Sequence, residues 1–210
     1  MVSRFILVCS SEFAEERFRA LHGAGESTLV AVDGGFRYLN AIEVMPQVLL
    51  GDFDSLGYVP QVSGAQVIRF PSEKDASDLE LALSYAEEQG ADEVYVFGAL
   101  GGRLDQTMAT LQVATGFAET FDTLVFVSPK EVLRVLGSHR TLTLSGSGAK
   151  YVSVLSAVDV SRGVGIHGMK YDFDGELTNR SSRGLSNEMG EGPAVISVGD
   201  GVLFVVEQDE

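Results

Sequence analysis

Cysteine is almost missing from this chain: Cys9 is the only one in 210 residues. A single thiol excludes an internal disulfide and a cysteine-rich zinc site, and its place in the apolar run FILVC marks it as a buried strand residue. Long apolar runs are missing too. Those present are broken by Asp, Gly or Ser far short of the ~20 residues a membrane helix requires, and MVSRFILVCSSEF breaks too early for a signal peptide. The expectation is a cytoplasmic protein with no membrane partner. Basic residues are few and scattered, 15 against 30 acids for a net charge of −15. Nucleic acid is therefore not expected as a partner, because phosphate backbones are gripped by faces rich in Lys and Arg. His22, His139 and His167 stand far apart, none beside a serine or cysteine in a nucleophile setting, so no catalytic triad is supported.

What is present is an ordinary globular composition, 45 % hydrophobic and 21 % charged. Up to about residue 130 short β-branched runs alternate with helical patterns. Residues 5–9, 28–32, 47–50, 65–70, 93–98 and 123–127 read as strands, and 11–21, 35–41, 78–89 and 104–117 as helices. Such alternation predicts an α/β fold whose mostly parallel sheet carries helices on both faces. Beyond it, EVLRVL, RTLTL, KYVSVL, AVISV and VLFVV are short strands separated by Gly, Ser, Asn and Asp, which predicts a small all-β sandwich. The domains expected are 1–130 and 131–210. LSGSGAK resembles a fragment of a phosphate loop but lies between two strands without a following helix, and reads as a hairpin turn.

The acids are not evenly spread. Asp33 follows LVAV, Asp52 and Asp54 follow QVLLG, Asp75 and Asp78 precede a helix, and Asp105 follows VFGALGGR. Open α/β sheets bind ligands at strand C-termini, so these carboxylates converge on one crevice. Two like charges 4 Å apart repel by about 4 kcal/mol at an effective dielectric of 20, and a cluster of them calls for divalent cations.

In GDFDS an extended chain puts Asp52 and Asp54 on one side with Phe53 pointing inward, although Asp-x-Asp at a strand end is by itself more often a turn. Gly51 permits a tight strand exit. In SEKDASDLELAL, Ser77 and Glu80 match a capping box, which leaves Asp75 and Asp78 at a helix N-terminus that favours acids with or without a metal. Lys74 is a phosphate contact or a solvated lysine. Gly101 and Gly102 let backbone N–H groups approach a phosphate, or form a plain turn; Arg103 offers a planar fork for phosphate oxygens, with Asp105 orienting it or holding metal. Asp33 holds a metal, binds a ribose or caps a helix. In the polar stretch 168–188, Ser186 and Asn187 could bond a heteroaromatic amine and Tyr171 could stack on a ring, or all three are turn and half-buried residues.

Taken in order, VDGG, GDFDS, EKDASDLELAL, GALGGRLDQ, GMKY and SSRGLSNE resemble the thiamine pyrophosphokinase family. The resemblance implies an N-terminal α/β domain that binds nucleotide and metal, a C-terminal β-sandwich that binds thiamine, and a homodimer. It implies transfer of pyrophosphate from ATP, the co-substrate, to thiamine with Mg²⁺. It gives metal or nucleotide roles to Asp33, Asp52, Asp54, Asp75, Asp78, Arg103 and Asp105, and thiamine contacts to Tyr171, Ser186 and Asn187. Asp52 and Asp54 come first as Mg²⁺ ligands, with Asp75, Asp78 and Asp105 as further ligands or supports. Gln106 stands where many bacterial members have His, and Tyr171 where Trp is frequent. Rival readings are a pyrophosphokinase for another hydroxymethyl heterocycle, such as a pterin, and a non-catalytic nucleotide sensor.

Overall fold

Apolar runs bounded by Asp, Gly or Ser become the strands of a parallel sheet in the structure, a computed structural model that describes residues 2–146 and 148–209. The chain divides into two units, one of residues up to 113 together with 120–129, the other of 114–119 together with the residues from 130 onward.

In the first unit the elements run β1 (Arg4–Val8), α1 (Glu15–His22), β2 (Thr28–Val32), a 3₁₀ turn (Asp33–Gly35), α2 (Phe36–Ala41), β3 (Val48–Gly51), β4 (Gln66–Arg69), α3 (Asp78–Glu88), β5 (Glu93–Phe97), α4 (Leu104–Gly116) and β6 (Thr123–Val127). The strands lie in the order β4-β3-β2-β1-β5-β6, each parallel to its neighbour. β1, β2, β3 and β6 are buried along almost their whole length, as strands covered on both faces must be. The edge strand β4 is largely exposed.

Helix α3 shows why its sequence is helical. Leu79, Ala82, Leu83 and Ala86 recur at helical spacing and form its buried stripe, and the Ser77 hydroxyl accepts the Glu80 N–H at 3.2 Å. Only this half of the expected capping box forms. Helix α1 starts at Glu15 rather than at residue 11, because Ser10–Phe13 are drawn into contacts with the start of α2 and the loop after β5.

The second unit contains β7 (Glu131–Leu136), β8 (Thr141–Leu144), β9 (Tyr151–Ser156), β10 (Val160–His167), β11 (Phe173–Thr178), β12 (Ala194–Ser197) and β13 (Leu203–Gln208). Strand β13 pairs antiparallel with β7 and β9, and the second sheet runs β11-β10-β12-β8, also antiparallel. Leu136, Val152, Val154 and Val205 of the first sheet share a core with Val164, Ile166, Leu177 and Ile196 of the second, which makes a sandwich. β10 and β11 are additional to the strands read from sequence. A bulge between Ser161 and Val164 breaks the alternation of VSRGVGIH, so its period does not read as a strand. The turn read in LSGSGAK includes Ser147, which lies outside the described residues. Among the described residues no helix is long and apolar enough to cross a membrane.

The tightest backbone approach in the first unit is at Gly35, where a Cβ would fall 1.8 Å from the carbonyl oxygen of Val8 at the end of β1. Gly35→Ala is expected to cost roughly 3 kcal/mol or more through overpacking against rigid backbone, a loss of about 6–12 °C in Tm for a chain of this size. Gly90 has a φ of +72° and open space around it, so Gly90→Ala should cost only about 1–2 kcal/mol. Equal melts for the two variants would refute the close approach.

Candidate active site

Strand order reverses between β1 and β5, and a crevice opens at such a switch point beyond the strand C-termini. Here it is a cleft of about 530 Å³. Its lining includes Ser10 and Ser11 after β1, Asp33 after β2, Asp52 and Asp54 after β3, Lys74 and Asp78 at the start of α3, and Arg103 before α4. A second cavity of about 760 Å³ shares Asp52, Asp54 and Ser72 with it and adds Tyr58, Val59, Arg69 and Phe70.

Asp33, Asp52 and Asp54 each offer a carboxylate oxygen within 4.8 Å of the others. Backbone shape makes this possible. A Cβ on Gly51 would come within 3.0 Å of the Asp33 Cβ, so the bare glycine lets the β2 and β3 ends close up. Asp33 and Phe53 both adopt positive φ, +44° and +64°. Phe53 is buried at 2 % exposure, as its inward direction requires, but it turns the chain rather than extending it. Thus the two aspartates converge by a left-handed turn, in which the Asp54 N–H donates to Asp52 Oδ1 at 3.1 Å.

Asp33 is 9 % exposed, and its Oδ1 is buried with no hydrogen-bond partner among the described residues. An orphaned carboxylate oxygen beside two more carboxylates is a donor set that could hold a hard divalent cation.

Lys74 is not a solvated lysine. Its Nζ donates to Asp52 Oδ2 at 2.9 Å and to the Pro71 carbonyl at 3.2 Å, and it lies 3.0 Å from Asp78 Oδ1 in an ion pair whose angle is not that of a hydrogen bond. Its hydrogen bond holds the Asp52 carboxyl below the usual carboxylate range, with help from the Asp54 N–H. Burial raises Asp78 despite the same ammonium. Burial also pulls Lys74 down, but the two carboxylates outweigh it and the amine stays above its ordinary value. Cys9, another lining residue, is pushed up to about 12 by burial and then by Asp78 and Asp33, so its thiol is inert at neutral pH.

Arg103 and Asp105 form a two-point fork, Nε to Oδ1 at 3.1 Å and Nη2 to Oδ2 at 2.5 Å, and both are exposed. Arg103 lines the cleft; Asp105 does not, and touches it only through its bonds to the arginine. Asp75 is exposed and also off the cleft lining. Gly101 and Gly102 have φ of +83° and +67° and carry the turn into α4.

The second unit holds the remaining candidates. Tyr171 is 64 % exposed with Lys170 Nζ 5.7 Å from its ring centre, and Ser186 adopts a φ of +56° while its N–H donates to Ser153 Oγ at 2.9 Å. Asn187 is buried, and both ends of its amide are engaged. Oδ1 accepts the N–H groups of Tyr171 (3.1 Å) and Glu188 (2.9 Å), and Nδ2 donates to the Tyr171 carbonyl at 2.8 Å. The geometry therefore gives Asn187 the task of fixing Tyr171 and leaves it little capacity for a ligand.

Ser10, Ser11, Ser72 and Thr110 also line the cleft, and no motif in the sequence marks them. Ser10 and Ser11 follow directly on β1, so the strand-end rule that selected the acids selects them as well when it is applied to hydroxyls.

A family model described as thiamin pyrophosphokinase, catalytic domain, matches residues 23–126. The chain is 24 % identical to the thiamine pyrophosphokinase of Bacillus subtilis over 192 residues, covering 88 % of this chain and 89 % of that one. It is 24 % identical to thiamin pyrophosphokinase 1 of Caenorhabditis elegans over 191 residues, 85 % of this chain and 78 % of that one. A crystal structure of thiamin pyrophosphokinase from Geobacillus thermodenitrificans superposes with a TM-score of 0.82 at 25 % identity, covering 100 % of this chain and 98 % of that one.

Lys74→Met removes the only ammonium described between Asp52 and Asp78, and in chelator it should lower stability by about 2 kcal/mol, roughly 4–8 °C. Added divalent cation should restore the variant more than it raises the parent. Because the lowered Asp52 carboxyl stabilises the fold above its pKa and loses that effect as pH falls through it, the gap between the two proteins should be widest near neutrality and close on acidification. Identical melts in chelator at neutral pH would show that Lys74 does not hold the cluster together.

Proposed function

The chain belongs to the thiamin pyrophosphokinase family, and we infer from that membership that it transfers pyrophosphate from ATP to the hydroxyl of thiamine, releasing thiamine diphosphate and AMP. The observation that carries the reading at the level of residues is the Asp33, Asp52 and Asp54 cluster, placed in the switch-point cleft and inside the span that the family model matches. The relatives favour neither a pterin acceptor nor a non-catalytic sensor.

The donor set fits Mg²⁺. Asp52 and Asp54 would hold it first, with Asp33 supplying the orphaned oxygen and Asp78 standing one ion pair away. Asp75 and Asp105 become supports rather than ligands. When bound, the cation neutralises charge on the phosphate oxygens and favours AMP as leaving group. The rest is work for the chain. Arg103 presents its remaining Nη1 and Nη2 N–H groups to the phosphates, with Asp105 on Nε and Nη2 keeping the guanidinium oriented. Lys74 exchanges a carboxylate for a phosphate oxygen, and the glycine turn offers N–H groups to the same anion. Rate then comes from alignment of the thiamine hydroxyl with the β-phosphorus and from preorganised charge.

The first unit is taken as the domain for nucleotide and metal and the sandwich as the thiamine domain. In the sandwich, Tyr171 offers a ring for stacking and is held by Asn187, while Ser186 offers a hydroxyl and is held through its N–H by Ser153. We read the location as the cytoplasm and the assembly as a homodimer, the latter because Leu185 leaves apolar surface exposed beside Ser186 and Tyr171 is itself exposed; sedimentation of a fully active monomer at assay concentration would overturn the dimer.

The test of the reaction is purified protein with Mg-ATP and thiamine, products resolved by mass. Equimolar AMP and thiamine diphosphate are expected, whereas ADP with thiamine monophosphate would mean single-phosphoryl transfer. Asp54→Asn should lower turnover roughly 10²- to 10⁴-fold at about 1.4 kcal/mol per decade, with a melt unchanged or raised as carboxylate repulsion falls. Near-normal turnover of that variant at saturating Mg-ATP would remove Asp54 from the principal ligands.

A further inference from the structure

We propose that Glu12 is a carboxylate placeholder on the glycine turn: it occupies the backbone N–H that a phosphate oxygen of the nucleotide takes on binding, and so sets the affinity for nucleotide. The inference rests on the reading that a nucleoside triphosphate enters the cleft.

The turn is held from two sides. Ser11 Oγ lies 3.0 Å from the Leu100 carbonyl oxygen and 2.9 Å from that of Gly101, and shares its one proton between them. In a trans peptide the following N–H points opposite to the carbonyl, so both glycine N–H groups are turned away from Ser11. One of them meets Glu12: the Gly102 N–H donates to its Oε1 at 3.4 Å. The carboxylate is pressed against the turn, since a Cβ on Gly101 would fall 2.6 Å from Glu12 Cδ.

The backbone on either side of Glu12 is fixed while its side chain is exposed. The Ser11 N–H donates to the Gly98 carbonyl at 2.7 Å, and the Ser11 carbonyl accepts the Tyr38 hydroxyl at 2.7 Å. Phe13 stacks on Tyr38 at 4.9 Å and packs against Phe18. Withdrawal of the carboxylate therefore needs only side-chain rotation. At 3.4 Å its bond is longer than the usual range for N–H to oxygen, and a phosphate oxygen aimed at the same donor competes well. Two anions cannot share one N–H, and although Glu12 and the two glycines border the cleft rather than line it, their chain neighbours Ser11 and Arg103 are lining residues.

Glu12→Gln keeps the shape and an acceptor but removes the charge, and Glu12→Ala removes both. With the full chain and Mg-ATP, KM should fall about fivefold in each variant, the change lying in KM rather than in kcat. Calorimetric titration with Mg-ATP in the absence of thiamine should show Kd falling by the same factor, about 1 kcal/mol. An unchanged Kd would overturn the proposal. So would a raised Kd in Glu12→Ala that Glu12→Gln restores, because Glu12 would then only hold the turn in shape. Parent protein that binds Mg-ATP without forming thiamine diphosphate would refute the reaction instead, and the calorimetric comparison would still decide the role of Glu12.

Discussion

Repulsion among carboxylates is the constraint around which the first unit is arranged. Asp33, Asp52 and Asp54 bring oxygens within 4.8 Å of one another, and each ionised pair at that range costs roughly 3–4 kcal/mol at an effective dielectric of about 20. The buried strands supply the opposing stability. Two features keep the crowding from being relieved by local movement: Phe53 is anchored in the core despite its positive φ, and Asp33 is pressed onto Gly51. Lys74 supplies the compensating charge within the cluster.

Periodicity revealed those elements whose partners lie across a regular sheet or a helix face. The six strands of the first unit and helix α3 are of this kind, since their apolar residues follow the period that the fold uses. Ser10–Phe13 are not. Their pattern continues that of α1, but Ser11 and Glu12 are claimed by a turn some 90 positions later, a demand that no local window records. β10 was hidden for a different reason: the bulge at Ser161–Val164 shifts its register in mid-strand.

At the site, the acids were legible because charge at the end of a buried strand is anomalous. The hydroxyls were not, since serine after a strand is what any turn contains. Asn187 shows a third case. Its capacity to hydrogen-bond was evident, yet the partners that use it belong to the backbone of Tyr171, 16 positions earlier. Only the folded chain shows that this amide is already committed.

An ammonium already seated between Asp52 and Asp78 also bears on how the protein is made. A counter-ion carried on the chain is present at fixed local concentration from the moment of synthesis, so the newly made polypeptide can complete its fold without waiting for a divalent ion. That tethered competitor sets a threshold for what enters afterwards. Abundant monovalent ions offer no more charge than the lysine they would have to displace, whereas a divalent ion does, and the cleft is thereby biased against filling with the commonest cations in the cell.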